Sequence, residues 1–308
     1  MPADQLTDLA ALLTRPPAVL GGTPGWWQLY IEFPDWAASE QTATRHLAPL
    51  LDEIGASGLI TGWWFIRKNP CWRLRLRPGP DAPVMQAAIR AALDGLTASG
   101  ALRRWRPGVY EAEEAAFGGP EGMAAAHDLF MADSGAVMHL LRGGQGGSGV
   151  GRRELSVLLC TALLRGARLE WYEQGDAWHR VTLERPLPAD VTAGQVSALA
   201  ESIKVLLTAD TSPDSGLFRP GAPLATAADW AAAFRQVGRE LGTLARSGVL
   251  QRGLREVLSY HVIFHWNRLG LTARQQAILA GVARNAILGP SHPEKKHNDR
   301  DIPPDWSE

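Results

Sequence analysis

Two periodicities take turns along the first half of the chain. WWQLYIEF, residues 26 to 33, sets aromatic and β-branched side chains between Gly25 and Pro34, which predicts a strand. GLITGWWFIRK and CWRLRLRP read as two more strands, separated by Asn69 and Pro70. In the second of these, Trp72, Leu74 and Leu76 alternate with Arg73, Arg75 and Arg77. One face is therefore apolar and the other carries three guanidiniums. Helical spacing falls between and after these runs, over Ser39 to Ile54 and Pro83 to Ala98, and a further strand is predicted near Val109.

GPEGMAAAHDLFMADSGAVMHLL changes to a period of about 100° per residue, with Met123, Phe130, Val137, Met138 and Leu141 in one arc. His127 and Ser134 fall in the same arc. RGGQGGSGVGRR follows as a glycine-rich linker; it lacks the Lys-Ser/Thr pair that a phosphate loop requires. Beyond it the pattern predicts a helix over Glu154 to Gly166, a hairpin through LEWYEQGDAWHRVTL, and helices over about 193–207, 225–246, 253–269 and 272–287. A short helix over residues 4 to 14 and a charged, proline-rich, disordered tail complete the reading. The fold class is α+β, antiparallel sheets with interspersed helices and a helix-rich second half. The expected partition is an arm over 1–25, one domain over 26–288 with a glycine-rich loop at 143–151, and a tail over 289–308.

Composition narrows the partners. The 308 residues are 45% hydrophobic and carry 31 basic against 32 acidic side chains, a net charge of -1. No global field recruits nucleic acid or an anionic membrane, and neither is expected. Cys71 and Cys160 fit no disulfide framework or zinc spacing. The first residues lack a basic n-region and no 18-residue apolar run occurs, so a cytoplasmic protein is expected.

Three constellations carry candidate chemistry. YEAEEAAFGG places Glu111, Glu113 and Glu114 before Gly118 and Gly119, as acid/base groups or as a solvated turn. Arg67 with Arg73, Arg75 and Arg77 is either a solvated face or a clamp for anions and carbonyls. In SYHVIFHWNRLGL, helical spacing puts His261, His265 and Arg268 on one stripe with Leu254, Leu258 and Leu269, beside Tyr260 and Asn267. The two histidines have the spacing of a zinc pair, but Val262 stands where HExxH has its glutamate and no third ligand is evident. Proton transfer or hydrogen bonding suits them better than coordination. His127 and Ser134 join the acidic turn as candidates. Twelve Trp, Trp27 and Trp64 among them, suit gripping a flat ligand by stacking as well as filling a core. No nucleophile elbow, dinucleotide fingerprint or kinase set is present, so chemistry without metal or organic cofactor is expected.

Together, WWQLYIEF, WWFIRKNPCWRLRLRP, YEAEEAAFGG, AAAHDLFMADS, RRELSVLLCTALLR, WYEQGDAW and HVIFHWNRLGL resemble the thiopeptide-type bacteriocin biosynthesis proteins. These are similar to the C-terminal, elimination domain of class I lanthipeptide dehydratases, and the likeness spans about residues 26 to 288. The resemblance implies that fold and a leader-bearing modified precursor peptide as substrate, with other thiopeptide maturation enzymes as partners.

Eliminating members, which remove glutamate from glutamylated Ser or Thr, resemble YxPExxRYGG and PHxRLR. Here Glu113 matches the glutamate, Ala116 stands in place of the arginine, and the strand reads PCWRLR. Their histidine four residues before Asn-Arg falls on Ile263. The AAFGG, AHDLF and PCWR forms instead resemble the thiopeptide pyridine synthases. That likeness implies a formal [4+2] aza-cycloaddition between two dehydroalanines, with later loss of water and of the leader. Glutamate elimination and a non-catalytic peptide-binding subunit are the competing readings.

Overall fold

The structure, a computed structural model, describes residues 25–143 and 150–290. The arm helix at 4–14, most of the glycine-rich linker and the tail beyond residue 290 lie outside those residues.

The first half runs β1 (Trp27–Glu32), α1 (Ser39–Thr42), a π-helical turn (Ala43–Leu47), α2 (Ala48–Ala56), β2 (Ile60–Lys68), β3 (Cys71–Pro78), α3 (Ala82–Ala98) and β4 (Arg104–Gly108). The strands form one antiparallel sheet in the order β2-β3-β1-β4. Strand alternation sorts its faces. Leu29, Ile31, Phe65, Trp72, Leu74 and Leu76 point one way and share a buried cluster with Leu47, Leu51 and Ile54 near α2 and Met85, Ile89 and Leu93 of α3. Gln28, Tyr30, Trp64 and the arginines of β3 point the other way.

The helical half follows: α4 (Glu114–Phe117), α5 (Pro120–Arg142), α6 (Arg152–Gly166), α7 (Trp171–Glu184), α8 (Ala193–Thr208), a 3-10 turn (Ala225–Ala227), α9 (Ala228–Arg246), α10 (Leu254–Leu269) and α11 (Ala273–Leu288). Helices α5 and α10 lie against β2 and join the halves. The α6/α9 crossing is tight enough to need glycine. A Cβ on Gly238 would sit 2.1 Å from the Leu163 carbonyl oxygen, and one on Gly166 2.4 Å from that of Arg235.

The expected hairpin at LEWYEQGDAWHRVTL is instead α7. Gly175 suggests a turn in the sequence. It lies within the helix, where a Cβ would strike Ile287 and Leu288 of α11. Gln174, Ala177, Trp178 and Val181 are buried at helical spacing, and Glu170 and Glu173 close a capping box at the N-terminus.

Candidate functional site

The strongest candidate lies where the arginine face of the sheet meets α5. Trp64 on β2 and Arg75 on β3 are directly paired in the sheet, so both side chains rise from one rung. The Arg75 guanidinium lies 4.1 Å over the Trp64 ring and 5.1 Å over that of Tyr110, which follows β4. Burial lowers the Arg75 pKa to about 10, which still leaves it cationic at neutral pH. His127 enters from α5, and Trp26 covers it at 5.0 Å between ring centroids. Phe117, Met123, Ala126 and Phe130 form the buried floor, rimmed by Ala112, Ala116, Met131, Tyr260 and Phe264.

The polar centre of this aromatic cluster, called the chamber below for its closed ring of side chains, is the Tyr110 hydroxyl, 2.8 Å from His127 Nε2. Burial, with the nearby Arg77 and Arg75 charges, holds the His127 pKa down at about 4. Burial and the Glu113 charge push the Tyr110 pKa up. Both groups are therefore neutral at ordinary pH, a phenol facing a neutral imidazole, and the imidazole tautomer sets which of them donates.

Tyr110 and His127 owe their approach to local chain geometry. Gly118 and Gly119 both have positive φ, +86° and +97°, and turn the chain from α4 into α5. Glu111, Glu113 and Glu114 are all exposed on this segment. Glu113 takes the N-cap position of α4 without making a side-chain cap bond. Its charge nevertheless acts on both Tyr110 and Arg75.

The histidine stripe of α10 divides between two surroundings. His265 is fully buried: its Nδ1 lies 2.9 Å from Asp133 Oδ1 and its Nε2 3.1 Å from Ser156 Oγ. Ser156 Oγ already accepts from Trp266 Nε1, so its own proton is free for His265 Nε2, and Nδ1–H donates to Asp133. Arg268 Nε and Trp230 Nε1 also donate to Asp133, at 2.6 and 2.9 Å. Burial alone would raise the Asp133 carboxyl, but His265 and Arg268 outweigh it and hold it below the usual range. With both nitrogens bonded inside the core, His265 belongs to a structural network. Arg268 is tied to that network by its Nε alone, while its guanidinium stacks at 4.4 Å on Phe130 with Nη1 and Nη2 unbonded.

His261 faces the other way, 5.0 Å from Phe117 and 6.0 Å from Phe130 between ring centroids. Neither of its nitrogens has a hydrogen-bond partner. Burial, aided by Arg268, pulls its pKa down to about 3. Below the ordinary histidine pKa near 6.5, the unfolded chain takes a proton that folded His261 refuses until about pH 3. Stability is therefore lost as pH falls through that window, by about 1.4 kcal/mol per pH unit for this one group. His261→Leu should flatten the decline by that slope and raise stability at pH 5. Urea unfolding at pH 7 and pH 5 measures it; equal slopes in both proteins would refute the assignment.

The other sequence candidates are spread out. Arg77 bonds Thr61 and lies 5.8 Å over Trp26, at the chamber's edge. Arg73 stands one rung further from the chamber than Arg75. Tyr260 sits at the rim, its hydroxyl 3.5 Å from Glu184. Trp27 is on the opposite sheet face under Arg90, and Arg67 is there too, bonded to Glu40 and stacked at 4.7 Å on Trp72. Ser134 Oγ accepts from the Phe65 N–H, capping the outer edge of β2. Asn267 Oδ1 accepts from Gln276 Nε2. Trp26, Tyr110, Asp133 and Ser156 were not among the sequence candidates. Tyr110 begins the acidic segment already singled out, and that adjacency was the available signal. Among the described residues no group of three His, Cys, Asp or Glu side chains is placed to hold a metal ion, and no helix is long and apolar enough to cross a membrane.

A four-stranded antiparallel sheet with an arginine face, flanked by a helical half, defines an α+β architecture. The chain belongs to the family described as lantibiotic biosynthesis dehydratase, C-terminal, which matches residues 26–287. Among solved structures it is similar to the tRNA-dependent lantibiotic dehydratase MibB from Microbispora sp. 107891, at 21% identity and a TM-score of 0.63. That match covers 89% of this chain but 29% of MibB, so the chain spans less than a third of that enzyme's length. It is also similar to TbtD, the pyridine synthase from thiomuracin biosynthesis, at 15% identity and a TM-score of 0.60, covering 85% of this chain and 97% of TbtD. TsrL matches at 16% identity and a TM-score of 0.59, over 85% of this chain and 93% of TsrL. At these identities the likeness is one of fold. No curated protein matches the chain.

Proposed function

We propose that the chain is a pyridine synthase acting on a leader-bearing peptide that already holds two dehydroalanines. The reaction is a formal [4+2] aza-cycloaddition: one dehydroalanine and its neighbouring amide, as the iminol, supply the four-atom component, and the second alkene supplies two atoms. Loss of water and of the leader as an amide then gives the aromatic ring. The observation that carries this reading is the chamber wall at Ala116. The position where eliminating relatives resemble an RYGG arginine is here a methyl group packed against the aromatic cluster that contains Tyr110.

That pair suits the chemistry. With the proton on Nε2, His127 donates to Tyr110 and frees the phenol O–H for a substrate oxygen, either the amide carbonyl that becomes the iminol or the hydroxyl that departs. Trp26, partly buried beside His127, offers a flat surface against which azole-bearing chain can fold so that two alkenes meet. Arg75 remains cationic against Trp64 and Tyr110, and this favours glutamate elimination as the second reading.

Two peptides distinguish them. A glutamylated Ser peptide and a leader-bearing azole peptide with both dehydroalanines are incubated with the protein and followed by mass spectrometry. The expected result is an intact first peptide, while the second yields an amidated leader and a macrocycle that has lost water. Loss of glutamate from the first at a comparable rate would overturn the proposal in favour of elimination.

A further inference from the structure

The arginine face continues beyond the chamber. Sheet register stacks three rungs on it: Trp64, Arg75, Gln28 and Gly108; then Ile66, Arg73, Tyr30 and Arg106; then Lys68, Cys71, Glu32 and Arg104. Arg77, opposite Gly62, lies one rung beyond Trp64 and Arg75. This face therefore carries six cations and one carboxylate in a chain whose net charge is -1. Glu32 is taken by Arg103 and Arg104, at 3.3 and 2.5 Å.

Arg73, Arg77 and Arg106 have no carboxylate partner among the described residues. Their guanidiniums lie against rings instead. Arg106 is 3.8 Å from the Tyr30 centroid, Arg73 is 5.6 Å from the same ring, and Arg77 is 5.8 Å from Trp26. Stacking engages a guanidinium's flat face and leaves in-plane N–H donors for a carboxylate. The remaining acids near this face are on the segment after β4, where Glu113 acts on Arg75 without forming an ion pair. Helices α5 and α10 cover the β2 side, whereas Arg104 and Arg106 are exposed and Tyr30 and Arg73 half-buried.

We infer that this open face docks an acidic, extended segment of the peptide substrate, with Arg73, Tyr30 and Arg106 as its central rung. The inference rests on the proposed peptide substrate and adds its charge. Alternate residues of a strand are spaced by about 7 Å, which is also the spacing of alternate side chains in an extended peptide. Carboxylates at every second position can thus meet successive arginines of β3. The open face adjoins the rung of buried Arg75, so a segment held on the platform would bring its neighbouring residues toward Trp26 and His127.

The test uses the full chain and unreactive probes, with fluorescence anisotropy at low and at physiological salt. A labelled octapeptide of alternating glutamate and threonine should bind at least about tenfold more tightly than its glutamine counterpart, the scale of charge-assisted arginine–carboxylate bonds. Arg73→Gln with Arg106→Gln should remove that preference at an unchanged melting temperature, Arg106→Gln alone should weaken it, and the exposed, remote Arg219→Gln should leave it intact. Glutamate-peptide binding unaffected by the double substitution would overturn the inference. So would tighter binding of a single-stranded RNA octamer that the same double substitution abolishes. Because the probes cannot cyclise, a protein that fails the two-peptide reaction can still pass this measurement, and the reverse.

Discussion

Asp133→Ala should cost so much stability that little folded protein remains at room temperature. Asp133 is fully buried and receives hydrogen bonds from His265, Arg268 and Trp230. Arg268 is equally buried, its Nε bonds Asp133 and its Nη1 and Nη2 have no hydrogen-bond partner, so removing the carboxylate strands a cation in the core. Breaking a buried pair by deleting one partner costs about 3–5 kcal/mol, and each stranded neutral donor adds about 1–3 kcal/mol. Native domains have only about 5–15 kcal/mol in total. Urea unfolding followed by tryptophan fluorescence measures the loss, and a midpoint close to that of the parent would contradict the network described. His265→Ala should likewise reduce stability, while the folded molecules that remain keep most of their turnover.

The second large effect is on chemistry. Tyr110→Phe keeps the ring contacts with Trp26, Trp64 and His127 but deletes the hydroxyl that faces His127 Nε2. A positioned proton-transfer group contributes about 10²–10⁴ in rate, and a loss of that size is expected in macrocycle formation with little change in the melting temperature. His127→Asn should fall in the same range. With its pKa near 4, His127 is already deprotonated well below neutrality, so it should introduce no acid limb near pH 6.5 in the rate profile. Glu114→Ala, at an exposed position, should be nearly silent. An unchanged rate for Tyr110→Phe would remove the pair from the mechanism.

Much of the fold was legible because its strands and helices have distinct periods. The alternation in CWRLRLRP identified both the core face of β3 and the side on which its arginines stand. The reading failed at α7, where Gly175 looks like a turn residue but serves contact with a helix more than a hundred positions later. The site was legible only in part for a related reason. His265 and Arg268 were visible as costly polar groups on a helix, but Asp133, which satisfies them, is 132 positions from His265 in sequence, with nothing local to mark the partnership. Spacing on α10 joined His261 and His265, whereas packing separates them, because that helix is buried on nearly every side. Tyr110 was hidden by the glutamates that follow it, since a charge run draws attention to itself and a single tyrosine does not.

The glycines at the α6/α9 crossing have a mechanical consequence. Backbone there approaches backbone so closely, 2.1 Å from a notional Gly238 Cβ to the Leu163 oxygen, that no side chain separates the two helices as a deformable cushion. Close-packed interiors have low compressibility, and this pair should respond to strain as a single stiff strut.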